Sequence, residues 1–245
     1  MTWQVTFDLF RYKQDGSSPH FDSFRLAVRP DEYVLDAVER IWAEQDRTLV
    51  FRHACHHAGC GACGMRVDGR EKLTCTTRID SVTTDGGSVT IEPLRNFAVL
   101  SDLAVDMTEF YTRMEQVRFA PVRAAEPMLD LETGAPAPVH VTAYRFENCL
   151  ECGICVSACP IAGSDPTYLG PAALAAIERM VQEPRGVDVP ALLRLADSEQ
   201  GVWRCHTAFE CSAACPADVD PAGLLLRLRR QIVGHRIKQL LGIRS

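Results

Sequence analysis

Residues 55–64 read Cys55-His56-His57-Ala58-Gly59-Cys60-Gly61-Ala62-Cys63-Gly64, and a fourth cysteine, Cys75, follows. The first three stand at C-x4-C-x2-C, the spacing that, with a further cysteine downstream, surrounds a binuclear 2Fe–2S cluster. Four thiolates around two irons need a chain that wraps tightly. Gly59, Gly61 and Gly64 let the backbone come close and turn without a Cβ clash, and their amides are expected to donate to the sulfurs, which tunes the cluster. A zinc knuckle would favour repeated C-x2-C pairs, and this stretch has one. His53, His56 and His57 crowd the loop. With four cysteines already present they read as a polar rim or a tuning group, not as Rieske ligands.

The residues around this loop describe a small α/β unit. Trp3, Val5, Phe7 and Leu9 alternate with polar residues at strand period, and Phe24, Leu26 and Val28 repeat the pattern. Pro30-Asp31-Glu32 opens a helix whose buried face is expected to be Val34, Leu35, Val38, Ile41 and Trp42. Asp68-Gly69 is a tight-hairpin signal. Ser88–Glu92 is read as the last strand, ended by Pro93. From Ser101 the pattern turns helical, with Leu103, Met107, Phe110, Tyr111 and Met114 on one face. Residues 118–142 carry Pro121, Pro127, Gly134, Pro136 and Pro138 and read as an ordered connector. Helical segments follow near 172–183, 190–198 and 221–241. The fold class is α+β: a 2Fe–2S unit over residues 1–105, then an α-helical unit over 106–245.

The second cysteine run is Cys149-x2-Cys152-x2-Cys155-x3-Cys159-Pro160, the run that holds a cubane cluster. In two-cluster proteins the fourth cysteine of such a run ligates the other cluster. The third run is Cys205, Cys211 and Cys215-Pro216. Aligned on its Cys-Pro end it repeats the second, with Ala208 where a cysteine would stand. By the crossing rule Cys215 joins Cys149, Cys152 and Cys155 around a 4Fe–4S cluster. Cys159, Cys205 and Cys211 remain, and three thiolates suit a cube short of one iron, a 3Fe–4S cluster; a 4Fe–4S cluster with a solvent ligand is the competing reading. Four, four and three use all eleven cysteines. A disulfide framework fits poorly, since the count is odd and a chain of this length needs no staples.

These motifs, together with Asp102-Leu103-Ala104-Val105-Asp106-Met107-Thr108-Glu109-Phe110-Tyr111 and Cys205-His206-Thr207-Ala208-Phe209-Glu210-Cys211-Ser212-Ala213-Ala214-Cys215-Pro216, resemble the iron–sulfur subunit of succinate dehydrogenase and fumarate reductase over nearly the whole chain. The resemblance implies a plant-type ferredoxin-like (β-grasp) domain followed by an all-α domain like bacterial ferredoxins. It implies a heteromeric complex on the cytoplasmic face of the bacterial inner membrane. A flavoprotein subunit with FAD oxidises succinate, the three clusters carry the electrons, and a quinone accepts them near Pro160, Ser164 and His206. Membrane anchor subunits hold the complex and often carry haem b; reverse flow reduces fumarate. Two departures stand out. His56 and His57 replace the arginine and glutamate that often follow the first cysteine. Ile161-Ala162-Gly163-Ser164-Asp165-Pro166 lacks the tryptophans of many ubiquinone-linked members, which points to menaquinone.

The formal charge of −6 does not suggest a nucleic-acid partner. No stretch approaches the roughly 18–20 apolar residues that span a bilayer, and the alternating start Met1–Asp8 resembles neither signal nor transit peptide. No G-x-G-x-x-G follows a strand, and no nucleophile, base and orienting group form a triad. Bond-making is therefore expected on another polypeptide. A subunit of a different flavin-linked oxidoreductase would more often hold two full cubanes, and a zinc-stabilised interaction protein would be colourless. The basic helix from Leu224 through Arg236 and Lys238 to Arg244 reads as a packed helix with a solvated face, ahead of one resting on anionic lipid or the anchor.

Overall fold

The computed structural model describes residues 2–16, 18–117, 145–182 and 188–242. The connector expected over 118–142 lies outside the described residues. Strands β1 (Trp3–Arg11) and β2 (His20–Val28) pair antiparallel along their full length. Their inward positions Val5, Phe7, Leu9, Leu26 and Val28 are buried, at the expected period of two. Strands β3 (Gly64–Val67), β4 (Arg70–Leu73) and β5 (Ser88–Glu92) complete a mixed sheet in the order β2-β1-β5-β3-β4, with β5 parallel to β1. The β3–β4 turn is Asp68-Gly69, and both residues take positive φ (48° and 76°). That is the backbone a two-residue hairpin matched to strand twist demands.

Helix α1 (Val34–Glu44) buries Val34, Leu35, Ala37, Val38 and Ile41 completely. Each of its larger aliphatic side chains contributes about 1.5–3 kcal/mol relative to exposure. Trp42, expected on this face, is instead 38% exposed. It lies one position past the buried stripe, and the Arg47 guanidinium covers its ring at 4.3 Å.

Ser88–Glu92 is not the last strand: β6 (Val99–Ser101) and β7 (Ala104–Val105) form a short hairpin. Leu103 therefore sits in a turn and joins the sheet's core, not a helix. Helix α2 (Thr108–Gln116) starts where Asp106 Oδ1 accepts from the Thr108 amide at 2.8 Å. It buries Phe110 and Met114 but leaves Tyr111 40% exposed. Between these two hairpin strands, Asp102 is fully buried and accepts from Tyr12 N (3.1 Å), Val50 N (2.8 Å), Arg11 Nε (3.3 Å) and Lys13 Nζ (2.5 Å). One carboxylate thus ties β1, the segment before the cysteine loop and the β6–β7 hairpin.

The second unit is helical. Short helices α3 (Ile154–Ala158), α4 (Pro160–Ser164) and α7 (Glu210–Ala213) carry the cysteine runs, and α5 (Gly170–Gln182), α6 (Val189–Ala196) and α8 (Pro221–Leu240) support them. Buried alanines 172, 173, 175 and 176 on α5 let neighbouring helices approach closely, and α8 buries Leu224, Leu225, Leu228 and Ile232 in the same core. The expected packing thus holds for α8 as far as Ile232, while beyond it Val233, Ile237 and Leu240 are exposed. This core also takes in Leu35, Leu73 and Leu94 from the first unit, so one apolar body joins the two. At the seam Asn96 Nδ2 lies 2.8, 3.0 and 2.9 Å from the carbonyls of Val156, Ser157 and Cys159. The Arg95 amide donates to Ser157 Oγ, which donates to Glu71.

Candidate metal centres

None of the eleven cysteines is in a disulfide, and by their neighbours they fall into three groups. In the first, Cys55 hydrogen-bonds Cys60 and Cys75 hydrogen-bonds Cys63. The Ala58 amide donates to Cys75 Sγ (3.4 Å) and the Gly59 amide to Cys55 Sγ (3.2 Å). Cys63 and Cys75 are buried while Cys60 is exposed, so the group opens on its Cys55–Cys60 side. Backbone amides, that of His57 foremost, hydrogen-bond Cys55 and bring its thiol down to about 6; burial pushes Cys75 up to about 11. Of the three loop glycines, Gly61 has the clearest need to be one. Its φ is +71°, and a Cβ there would lie 2.5 Å from Cys152 Cβ and 3.0 Å from the Leu150 carbonyl. The close approach is to the second cysteine run, a contact that spacing alone did not foresee.

The second group lines one cavity: Cys149, Cys152, Cys155 and Cys215, among apolar Phe110, Phe146, Ala172 and Val219. The third comprises Cys159, Cys205 and Cys211, which act on one another electrostatically. Burial pushes Cys149 and Cys152 up to about 11 and Cys211 to about 12, and it raises Cys155 well above the ordinary thiol range. Thiols this desolvated hold a negative charge only against a countercharge, which iron would supply. The donor sets, the apolar walls and the amides aimed at sulfur fit iron–sulfur clusters. Buried Tyr168 adjoins the third group.

Arg229 on α8 holds the loop of Cys205. It donates to the carbonyls of Val202 and Cys205 and to Thr207 Oγ1 (3.2 Å), and the Thr207 amide donates to Cys205 Sγ (3.3 Å). Trp203, 44% exposed, is fixed by its Nε1 to Asp197 (2.6 Å) and has the Arg229 and Arg236 guanidinia at 5.8 Å. The cysteine motifs pointed to neither residue. Pro160 is the first residue of α4, Ser164 closes it with Oγ on the Ile161 carbonyl (3.2 Å), and His206 follows Cys205; all three are exposed. Among the described residues, no helix is long and apolar enough to cross a membrane.

Residues 6–112 match the 2Fe-2S iron-sulfur cluster binding domain family, and residues 145–219 match the 4Fe-4S dicluster domain family. The chain is therefore an iron–sulfur protein built from two cluster-binding units. It is 34% identical to the fumarate reductase iron-sulfur subunit of Mycobacterium tuberculosis, covering 97% of this chain and 96% of that one. It is also 34% identical to a mitochondrial succinate dehydrogenase [ubiquinone] iron-sulfur subunit of Oryza sativa, over 89% of this chain and 78% of that one. In three dimensions it resembles a chain of the Mycobacterium smegmatis Sdh1 complex in the apo form, with TM-score 0.82, 24% identity and coverage of 97% and 98%. The chain belongs to the family of succinate dehydrogenase and fumarate reductase iron–sulfur subunits, and its work is electron transfer.

Proposed function

We propose that this chain links FAD in a flavoprotein subunit to a quinone, with menaquinone as the expected acceptor, in a membrane-bound succinate dehydrogenase. The clusters would supply one-electron carriers: 2Fe–2S on Cys55, Cys60, Cys63 and Cys75, 4Fe–4S on Cys149, Cys152, Cys155 and Cys215, and 3Fe–4S on Cys159, Cys205 and Cys211. The first unit, residues 1–105, is read as a plant-type β-grasp and the second, 106–245, as an all-α ferredoxin-like domain. The observation that carries this reading is the crossed grouping of thiols, Cys215 with the second run and Cys159 with the third.

The residues have distinct tasks in this account. The open Cys55–Cys60 side faces outward, as docking of a flavoprotein requires, while buried Cys63 and Cys75 anchor the loop. Gly61 brings the first loop against Cys152, which shortens the path between the first two centres. Arg229 and Thr207 orient Cys205. Pro160, Ser164 and His206 are exposed beside the third group and are proposed to meet the quinone. Membrane anchor subunits, with or without haem b, would hold the chain at the cytoplasmic face.

Low-temperature electron paramagnetic resonance of the purified complex, reduced stepwise, tests this. Three distinct iron centres, a flavoprotein copurifying, and succinate-driven quinone reduction faster than the reverse support it. Two centres, or faster fumarate reduction at the same quinone, overturn the cluster assignment or the direction respectively.

A further inference from the structure

We propose that Glu39, His53 and His56 form a zinc-class divalent-cation site that clips the cysteine loop to α1. Glu39 lies on α1, and the two histidines flank Cys55. His53 Nδ1 is 2.9 Å and His56 Nε2 is 3.1 Å from Glu39 Oε1, and without a cation the two nitrogens hydrogen-bond each other at 3.3 Å. Zinc binds imidazole nitrogen and carboxylate oxygen at about 2.0–2.2 Å, so a tetrahedral centre spaces its ligand atoms roughly 3.4 Å apart. The three atoms need open by only a few tenths of an ångström.

Direction argues the same way as distance. Glu39 Oε1 is shielded from water and receives no well-aimed hydrogen bond, although two imidazole nitrogens crowd it. Proximity without donor alignment is what lone pairs converging on a cation produce. Two neighbours set the rings: Phe51 stacks on His53 (5.0 Å between centroids, 21° between planes), and His53 meets His56 edge-on at 5.4 Å. His56 holds this place with φ at 61°, a conformation that disfavours a β-carbon. Both histidines remain about 40% exposed, which leaves a fourth position to water. The ligand set of two imidazoles and one carboxylate suits zinc above magnesium or calcium. Its nitrogens face Glu39, so the histidines are accounted for without entering the cluster.

The test is one equivalent of Zn2+ added anaerobically to the cluster-loaded full chain, followed by desalting, metal counting and zinc-edge X-ray absorption. About one zinc per chain is expected, with a nitrogen–oxygen shell and no sulfur neighbour near 2.3 Å. Glu39→Gln and His53→Ala are each expected to weaken retention by about tenfold or more at unchanged iron content. Glu39→Gln decides if His53→Ala disturbs cluster loading, since Glu39 stands on α1 outside the loop. No retained zinc, a sulfur shell, or equal retention by the Gln variant overturns the proposal.

Discussion

Gly61 and Cys152 meet so closely that no side chain fits between them: a Cβ on residue 61 would sit 2.5 Å from the Cys152 Cβ. The contact joins the loop of the first thiol group to that of the second, and the left-handed φ of Gly61 adds a conformational demand. Gly61→Ala is expected to force the loops apart at a cost of about 1–3 kcal/mol. Thermal unfolding of the cluster-loaded chain reads the loss, and freeze-quenched resonance spectra read slower transfer between the first two centres. Unchanged melting and transfer would contradict the contact's role.

Asp102 is the buried charge on which three segments converge, and Arg11 and Lys13 both pair with it. Arg11 keeps Asp22 and Asp46 when Asp102 is removed, but the Tyr12 and Val50 amides lose their acceptor, at a cost of about 1–3 kcal/mol. Asp102→Ala should fall in that range by urea unfolding. A loss below 1 kcal/mol would show that water replaces the carboxylate freely.

Acid should weaken the same region through Asp46. Partial burial pushes this carboxyl up, but hydrogen bonds from Arg11 and from the Thr48 side chain and amide outweigh it and hold it at about 2. An unfolded aspartate titrates near about 3.9. The unfolded chain therefore binds the proton more readily, so Asp46 stabilises the fold above pH about 4, and that contribution is lost as pH falls toward 2. Asp46→Asn should be less stable than the parent at neutral pH, with the gap closing through this window. Parallel urea midpoints across it would speak against the pairing.

Asn96 reaches three carbonyls around α3 with one amide group. Asn96→Ala leaves them short of a donor, at a cost of about 1–3 kcal/mol. Hydrogen exchange should quicken at the amides of residues 154–159 ahead of the sheet. Uniform exchange across both units would assign Asn96 no special part at the seam.

Much of this was legible along the chain. Strands β1 and β2 announced themselves by period, β5 by the proline that ends it, and the Asp68-Gly69 hairpin by a dipeptide that favours its turn. Trp42 was misread because helical spacing finds a stripe but not its edge, where Arg47 offers a ring partner instead. The β6–β7 hairpin escaped because strands of three and two residues are too short to show alternation. At the candidate metal centres the cysteine runs were readable as spacing. Asn96 and Arg229 were not, since their contacts span 63 and 24 residues and leave no local pattern. An arginine one position after buried Leu228 was the faint signal for the latter.

The crossed ligand sets are tested most directly by comparing Cys159→Ser and Cys215→Ser in the assembled complex by low-temperature paramagnetic resonance. The account predicts that Cys159→Ser, within the second run, degrades the three-iron signal, and that Cys215→Ser, within the third, degrades the four-iron one. If each serine instead damages the centre of its own run, the sets are not crossed and the assignment is wrong.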